Sequence, residues 1–137
     1  MDEKLTKTAE IIEYKGVQIL FNDFKGLQGQ GLADALKAVS RAMLPRITSR
    51  KDWLSVNDYT DCIFDEAATK ALIRVHKGMT GFFLAIAEVG LRQIQKTSIE
   101  LIHSVAQSNV PLSFPDSVEE GKDWVVEIHR QHAKSKS

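Results

Sequence analysis

The stretch "FFLAIAEV", residues 82–89, is an apolar run with a single glutamate near its end, and it lies between Gly81 and Gly90. A strand with one face in water alternates apolar and polar side chains, whereas a strand buried on both faces has a run of this kind. The run is far shorter than the roughly 20 residues of a membrane-spanning helix. The chain therefore needs a sheet that other elements cover on both faces, and this requirement restricts its fold most strongly.

Helix and strand patterns alternate around this run. The stretch "IIEYKGVQILFNDF" predicts a β-hairpin, with strands at 11–14 and 17–24 and a turn at Lys15 and Gly16. Further strands are predicted at 52–59 and 110–114, and helices at 32–43, 65–77, 91–107 and 117–131. This order of elements is typical of an α/β domain.

We therefore predict a single domain over residues 1–137, with frayed termini at 1–9 and 131–137. The predicted architecture is a βα superhelix, in which a mixed, mostly parallel sheet has a leading β-hairpin and about four helices. Pro45 is expected to end the first helix, because proline breaks the helical hydrogen-bond ladder. In the third helix, one apolar stripe is expected to face the sheet: Leu91, Ile94, Leu101, Ile102 and Val105.

Composition excludes several classes of protein. The 18 basic and 18 acidic residues give a formal net charge of zero, which does not fit a nucleic-acid-binding surface. A single cysteine, Cys62, excludes an internal disulfide and a multi-cysteine zinc site. The charged start "MDEKLTKTAE" lacks the apolar run of a signal peptide. We therefore expect a cytoplasmic protein that does not insert into a membrane.

The edge where strands end and helices begin is where α/β proteins bind ligands. The predicted loops there, 23–31, 57–66, 88–92 and 114–117, carry more acidic than basic side chains, and Glu88 is among them. The glycines of "GLQGQG" follow the order G-x-x-G-x-G, which is not the dinucleotide-binding order, and no lysine follows them as in a P-loop. We therefore predict a simple turn at these glycines and no nucleotide cofactor.

Other polar residues do not predict a catalytic or metal site. Asp23 and Asp58 follow neighbouring predicted strands, as in the phospho-accepting site of receiver domains, but the second acid and the lysine of those domains are missing. Capping of turns and helices is the favoured interpretation. Acidic neighbours are expected to raise the pKa of Cys62, which favours a packing role. No histidine shares a metal-ligand pattern with the cysteine, and the histidines are His76, His103, His129 and His132.

The order of these patterns resembles the STAS domains, and more closely the small bacterial proteins called SpoIIAA-like or STAS/SEC14-like. The matching stretches are "YKGVQILFNDFKGLQGQGL", "WLSVNDYTDCIFDEAATKAL", "FLAIAEVGLRQIQK" and "VPLSFPDSVEEGKDWVV". They cover roughly residues 10–128. The resemblance implies βα units wound as a superhelix behind a leading hairpin. It also implies a regulated contact at the turn after the middle strand.

One departure from the family concerns that turn. SpoIIAA-type antagonists have a "DSSG" turn whose second serine is phosphorylated, and here residues 66–69 read "EAAT", so that Ala68 stands at the phospho-acceptor position. Alanine has no hydroxyl, and the resemblance therefore implies no phosphate switch at this position. Thr69, one residue on, could take this role only if the register of the resemblance slips. The predicted binding surface joins two helix starts. Asp58, Tyr59, Asp65 and Glu66 follow the middle strand and open the next helix, and Gly90 and Arg92 open the helix after the most buried strand.

The sequence favours a non-enzymatic interaction or regulatory module with a protein partner, since no nucleophile–base pair stands out. The alternative is a small-molecule or lipid-binding protein, which the SEC14-like part of the resemblance and the apolar run at 82–89 suggest. A homodimer is also predicted. The first hairpin strand and the short strand at Pro111 are the expected sheet edges, and exposed edges invite pairing.

Overall fold

The computed structural model describes residues 2–136. Within these residues, one six-stranded sheet is formed by strands that lie side by side in chain order. β1 pairs with β2 and β2 with β3 in antiparallel fashion, whereas β3 to β6 are parallel. The strands are β1 (Glu3–Lys4), β2 (Ala9–Tyr14), β3 (Val17–Asp23), β4 (Trp53–Asp58), β5 (Phe83–Val89) and β6 (Leu112–Ser113).

Helices cover both faces of this sheet. They are α1 (Gly29–Ile47), α2 (Glu66–Met79), α3 (Gln93–Val105) and α4 (Val118–Ser135), with a 3₁₀ helix at Thr80–Phe82. α1, α2 and α3 bury apolar side chains against one face, and α4 packs on the other. Along the chain from residue 2 to residue 136, no helix is both long and apolar enough to cross a membrane. The mixed α/β architecture and the burial of β5 on both faces are confirmed.

The predicted hairpin is confirmed, and its turn has the expected backbone. Lys15 and Gly16 both have positive φ, at 51° and 79°. Positive φ at both central residues defines the type I′ turn, whose twist matches that of the two strands it joins. The pairing of Tyr14 with Val17 then sets the register of β2 and β3.

The prediction of a frayed start at residues 1–9 is wrong for β1. Glu3 accepts two hydrogen bonds from the Arg46 guanidinium, at 2.9 Å each, and Asp2 accepts one from the Glu13 backbone N–H at 2.9 Å. These contacts tie the start of the chain to α1 and to β2. One sheet edge is therefore β1 in place of the first hairpin strand, and the other is β6 as predicted. The homodimer that was expected to use the first hairpin strand stays a prediction.

Two helix ends also differ from prediction. α1 continues through Pro45 to Ile47, because the proline lies in the last turn and only two helical residues follow it. α4 extends to Ser135, so that most of the segment 131–137 is helical rather than frayed.

α3 faces the sheet with a different side from the one that its apolar stripe predicted. Ile94 is 75% exposed and Leu101 is 64% exposed, whereas Gln95 is buried. The Gln95 Nε2 atom donates to the Cys62 carbonyl at 2.8 Å, and its Oε1 atom accepts from the Arg92 N–H at 3.0 Å. Both ends of this amide have partners inside the protein, and Ile99 and Ile102 of the same helix are buried in the core, so polar and apolar contacts together set the rotation of α3.

Candidate functional site

A line of buried polar side chains crosses the sheet beneath the three helices. Asn22 in β3 is in register with Asn57 in β4, and Asn57 with Glu88 in β5. Asn22 Nδ2 donates to Asn57 Oδ1 at 2.7 Å, and Asn57 Nδ2 donates to Glu88 Oε1 at 3.0 Å. The Ser55 hydroxyl also donates to Asn57 Oδ1, at 2.8 Å. We call Asn22, Asn57 and Glu88 the polar ladder.

Two histidines from the covering helices lie at the Glu88 end of the polar ladder. The imidazoles of His76 in α2 and His103 in α3 pack edge to face, with ring centroids 4.1 Å apart. His76 Nδ1 lies 2.8 Å from the Leu72 carbonyl oxygen, which can only accept, so Nδ1 carries the proton and Nε2 the lone pair. The ligand atoms of His76, Glu88 and His103 all lie within 4.8 Å of one another. We call these three side chains the His–Glu–His cluster.

Burial shifts the pKa values of the cluster in opposite directions. It raises the pKa of Glu88 to about 8, although contacts with Asn57 and Tyr59 act to lower it. Burial lowers the pKa of His103 to about 3, with a further contribution from His76, and it also lowers the pKa of His76. In each case the low-dielectric surroundings disfavour the charged form. At neutral pH the metal-free cluster is therefore mostly uncharged.

A small cavity of about 50 Å³ adjoins the polar ladder between the sheet and the helices. Asn22, Asn57, Tyr59 and His76 form its polar side. This volume has room for a few water molecules but not for an acyl chain. The geometry gives no support to the lipid-binding alternative.

A second region of interest is the edge where the parallel strands end. The Gly26 N–H donates to the Thr60 carbonyl at 2.8 Å, and the Tyr59 N–H donates to the Val89 carbonyl at 2.9 Å. These backbone hydrogen bonds fix three turns against one another, so that the turn before α2 lies beside the turn before α3. We call these segments the joined turns: 24–28, 59–65 and 90–92.

Two of the residues predicted for the binding surface are buried. Asp58 Oδ1 accepts from the Thr60 N–H at 3.0 Å and from the Thr60 hydroxyl at 2.6 Å. Tyr59 packs between the rings of Phe24 and Phe64, with centroid separations of 5.4 Å and 5.3 Å. The capping interpretation therefore accounts for Asp58, and neither side chain offers a surface to a partner.

The other predicted residues lie at the joined turns. Asp65, Glu66 and Arg92 are exposed, and Gly90 packs closely against Thr60. Asp65 caps α2 by accepting from the Ala68 N–H at 2.9 Å. The turns before α2 and α3 thus come together as predicted. A binding role of these residues stays a prediction.

Comparison with known proteins identifies the fold. No protein-family profile matches the sequence, and no curated protein matches it significantly. Among solved structures, the chain matches an uncharacterized protein of the DUF3478 family from Shewanella loihica PV-4, described as having a SpoIIAA-like fold. The match has a TM-score of 0.63 at 13% identity and covers 85% of this chain and 91% of that chain. This chain has a SpoIIAA-like fold.

The polar ladder and the His–Glu–His cluster were not predicted from the sequence. Asn22 and Asn57 stand at equivalent places in "NDF" and "NDY", and the sequence pattern predicted roles only for the aspartates that follow them. Glu88 was assigned to a loop at the sheet edge, but it lies in β5 and is fully buried. The lone glutamate inside an apolar run was the sequence feature that could have indicated a buried polar site. His76 also follows Ala68 and Leu72 at helical spacing on the buried face.

Cys62 is a buried packing residue of this fold, and its Sγ donates to the Phe24 carbonyl at 2.9 Å. Burial is the largest cause that raises its pKa to about 11, with a smaller contribution from Asp58. We expect iodoacetamide to alkylate native protein at pH 7.5 far more slowly than urea-unfolded protein, as followed by mass spectrometry. Equal rates in the two states would show that the thiol is exposed.

Proposed function

We propose that this protein is a non-enzymatic interaction module and that a protein partner binds at the joined turns. The observation that carries this proposal is the network of backbone hydrogen bonds that fixes these turns together. A surface that is already ordered loses little conformational entropy when a partner binds. The six predicted binding residues all belong to this edge, and Asp65, Glu66 and Arg92 are its accessible members.

The chemistry of the joined turns indicates the kind of partner. Asp61, Asp65 and Glu66 are exposed acids, Lys25 and Arg92 are exposed bases, and Glu66 forms an ion pair with Lys70 at 2.9 Å. Ile63 is 48% exposed beside a shallow depression of about 300 Å³, which Asp61 and Arg92 also border. Exposed acids close to an accessible apolar side chain fit a basic segment that carries an apolar anchor. The charges chiefly speed encounter, and burial of the apolar contact holds the complex together.

Binding at this surface is proposed to be constitutive. In the resemblance to SpoIIAA-type antagonists, the phospho-acceptor position falls on Ala68, which is fully buried at the start of α2. Its N–H donates to the Asp65 carboxylate, so the site of the usual modification is occupied by a helix cap. Neither a hydroxyl nor a free backbone donor is present at this position for a phosphate to use.

A peptide selection tests the proposal. Immobilised protein is used to select from a random peptide library, and the selected sequences are expected to combine Lys or Arg with a large apolar residue. Replacement of Ile63 by Asp, or of Glu66 by Lys, is expected to weaken binding of a selected peptide at least ~10-fold, or about 1.4 kcal/mol, in calorimetry. Raised salt is expected to slow association.

Glu127→Lys is the matched control, because Glu127 is an exposed acid on α4, across the sheet from α2 and α3. It is expected to leave peptide affinity unchanged. Thermal melting of each variant separates loss of binding from loss of structure. Enrichment of acidic peptides, or equal weakening by Glu127→Lys, would contradict the proposed surface.

A further inference from the structure

The His–Glu–His cluster brings together three side chains from three elements of the fold. His76 comes from α2, Glu88 from β5 and His103 from α3, and each of them is at most 5% exposed. Their ligand atoms lie within 4.8 Å of one another. Two imidazoles and a carboxylate form the kind of ligand set that holds zinc in enzymes such as thermolysin, where a fourth position is left open.

Unpaired atoms in the cluster point to a ligand. Within residues 2–136, His76 Nε2, Glu88 Oε2 and both ring nitrogens of His103 have no hydrogen-bond partner. Buried polar atoms in folded proteins are almost always paired, and each exception calls for an explanation. One ion bound by His76 Nε2, Glu88 Oε2 and one ring nitrogen of His103 accounts for three of these four atoms.

The hydrogen bonds around the cluster aim its free atoms inward. His76 holds the Leu72 carbonyl through Nδ1, which leaves the Nε2 lone pair free. Glu88 is held through Oε1 by Asn57, which leaves Oε2 free. Metal-bound histidines and carboxylates are typically oriented in this way, by a hydrogen bond from the atom that does not bind the metal.

We propose that His76, Glu88 and His103 bind a single divalent transition-metal ion of the Zn²⁺ type. Ligand atoms of a tetrahedral zinc site lie roughly 3.4 Å apart, so the three side chains close in by about 1 Å on binding. In such a site a water molecule takes the fourth position. Metals bind neutral imidazoles and an ionised carboxylate, so the Glu88 carboxyl releases its proton to solvent when the ion binds.

An ion can reach the cluster from the side of His103. This side chain borders a surface depression between the end of α3 and β6, together with Glu100, Ser104 and Leu112. The site is separate from the joined turns, so the proposal does not depend on the proposed partner surface.

Metal titration of untagged protein tests the proposal. Metal is removed with EDTA, and Co²⁺ and then Zn²⁺ are added to the dialysed protein. We expect one ion per chain by elemental analysis, visible absorption bands typical of tetrahedral Co²⁺, and displacement of Co²⁺ by Zn²⁺. A Zn²⁺ concentration 100-fold above Kd is expected to raise the melting temperature by about 10 °C.

His103→Gln is expected to weaken Zn²⁺ binding at least ~100-fold, which exceeds the usual effect of losing an outer-shell contact. His132→Gln is the matched control, because His132 lies in the last turn of α4 on the other side of the sheet. It is expected to bind Zn²⁺ like the original chain. If His103→Gln does not fold, the Co²⁺ spectrum and stoichiometry of the unmodified chain still decide the question. The proposal would be overturned if the unmodified chain showed neither the Co²⁺ bands nor one bound ion per chain. It would also be overturned if His132→Gln weakened Zn²⁺ binding as much as His103→Gln does.

Discussion

Gly90→Ala is expected to destabilise the protein by about 3–4 kcal/mol, a large part of the 5–15 kcal/mol that holds a typical domain together. Gly90 has a φ of 79°, which costs an L-residue roughly 1–2 kcal/mol. An added Cβ would also lie 2.8 Å from the backbone N and Cα atoms of Thr60. Because those atoms belong to the joined turns, the backbone must shift, and such overpacking costs about 1–3 kcal/mol more.

Gly16→Ala is the matched control for this prediction. Gly16 has the same φ of 79°, but an added Cβ would meet no atom within 4 Å among the described residues. The substitution Gly16→Ala is expected to lower the free energy of unfolding only by the cost of the positive φ, roughly 1–2 kcal/mol. Urea unfolding of the two variants measures the difference, which isolates the contact between Gly90 and Thr60. Equal losses of stability would show that the joined turns are not tightly packed.

Glu88→Gln is expected to abolish a loss of stability that the metal-free protein shows between pH 6.5 and pH 8. The unfolded chain ionises Glu88 near pH 4.5, whereas burial keeps the folded carboxyl protonated up to a pKa of about 8. The folded state therefore holds the extra proton, and its stability falls as the pH rises through this range. A glutamine keeps the acceptor for Asn57 but cannot ionise.

The histidines determine where this fall becomes visible. Burial lowers the pKa of His103 from 6.5 to about 3 and also lowers that of His76, so stability rises with pH until about 6.5. Between pH 6.5 and 8, the ionisation of Glu88 then lowers the free energy of unfolding by about 2 kcal/mol, at roughly 1.4 kcal/mol per pH unit. Tyr59 also faces Glu88, but burial raises its pKa well above 10, outside this range.

Urea unfolding in EDTA at several pH values checks this prediction. Glu100→Gln, on the exposed side of α3, is the control and is expected to keep the decline of the original chain. A decline that persists unchanged in Glu88→Gln would show that another group causes it.

Parts of the candidate sites were predictable from local sequence. The strand-to-helix turns at the carboxyl edge of the sheet placed Asp65, Glu66 and Arg92 together, because all parallel strands end at the same edge. Burial of Asp58 and Tyr59 was not predictable, since the partners that cover these side chains are not apparent from the local sequence pattern. Only the neighbouring turn at Thr60 and the rings around Tyr59 decided it.

The rotation of α3 shows why the buried cluster was missed. By apolar count, the side with Ile94 and Leu101 should face inward, which would have turned His103 away from Glu88. In the folded protein, hydrogen bonds of Gln95 to Cys62 and Arg92 help to hold an adjacent side inward, on which Ile102 of the predicted stripe is buried. Such partners come from segments distant in sequence, so helical periodicity alone could not reveal them.

By itself, the sequence determined the order and type of the main elements and the mixed sheet, because periodicity, turn residues and apolar runs act over a few neighbouring positions. The tertiary structure alone decided which polar residues meet. Register aligned Asn22, Asn57 and Glu88 across three strands, and two helices then placed His76 and His103 above the last of them. Strand register and helix rotation depend on contacts between segments far apart in the chain, and local patterns carry little information about those contacts.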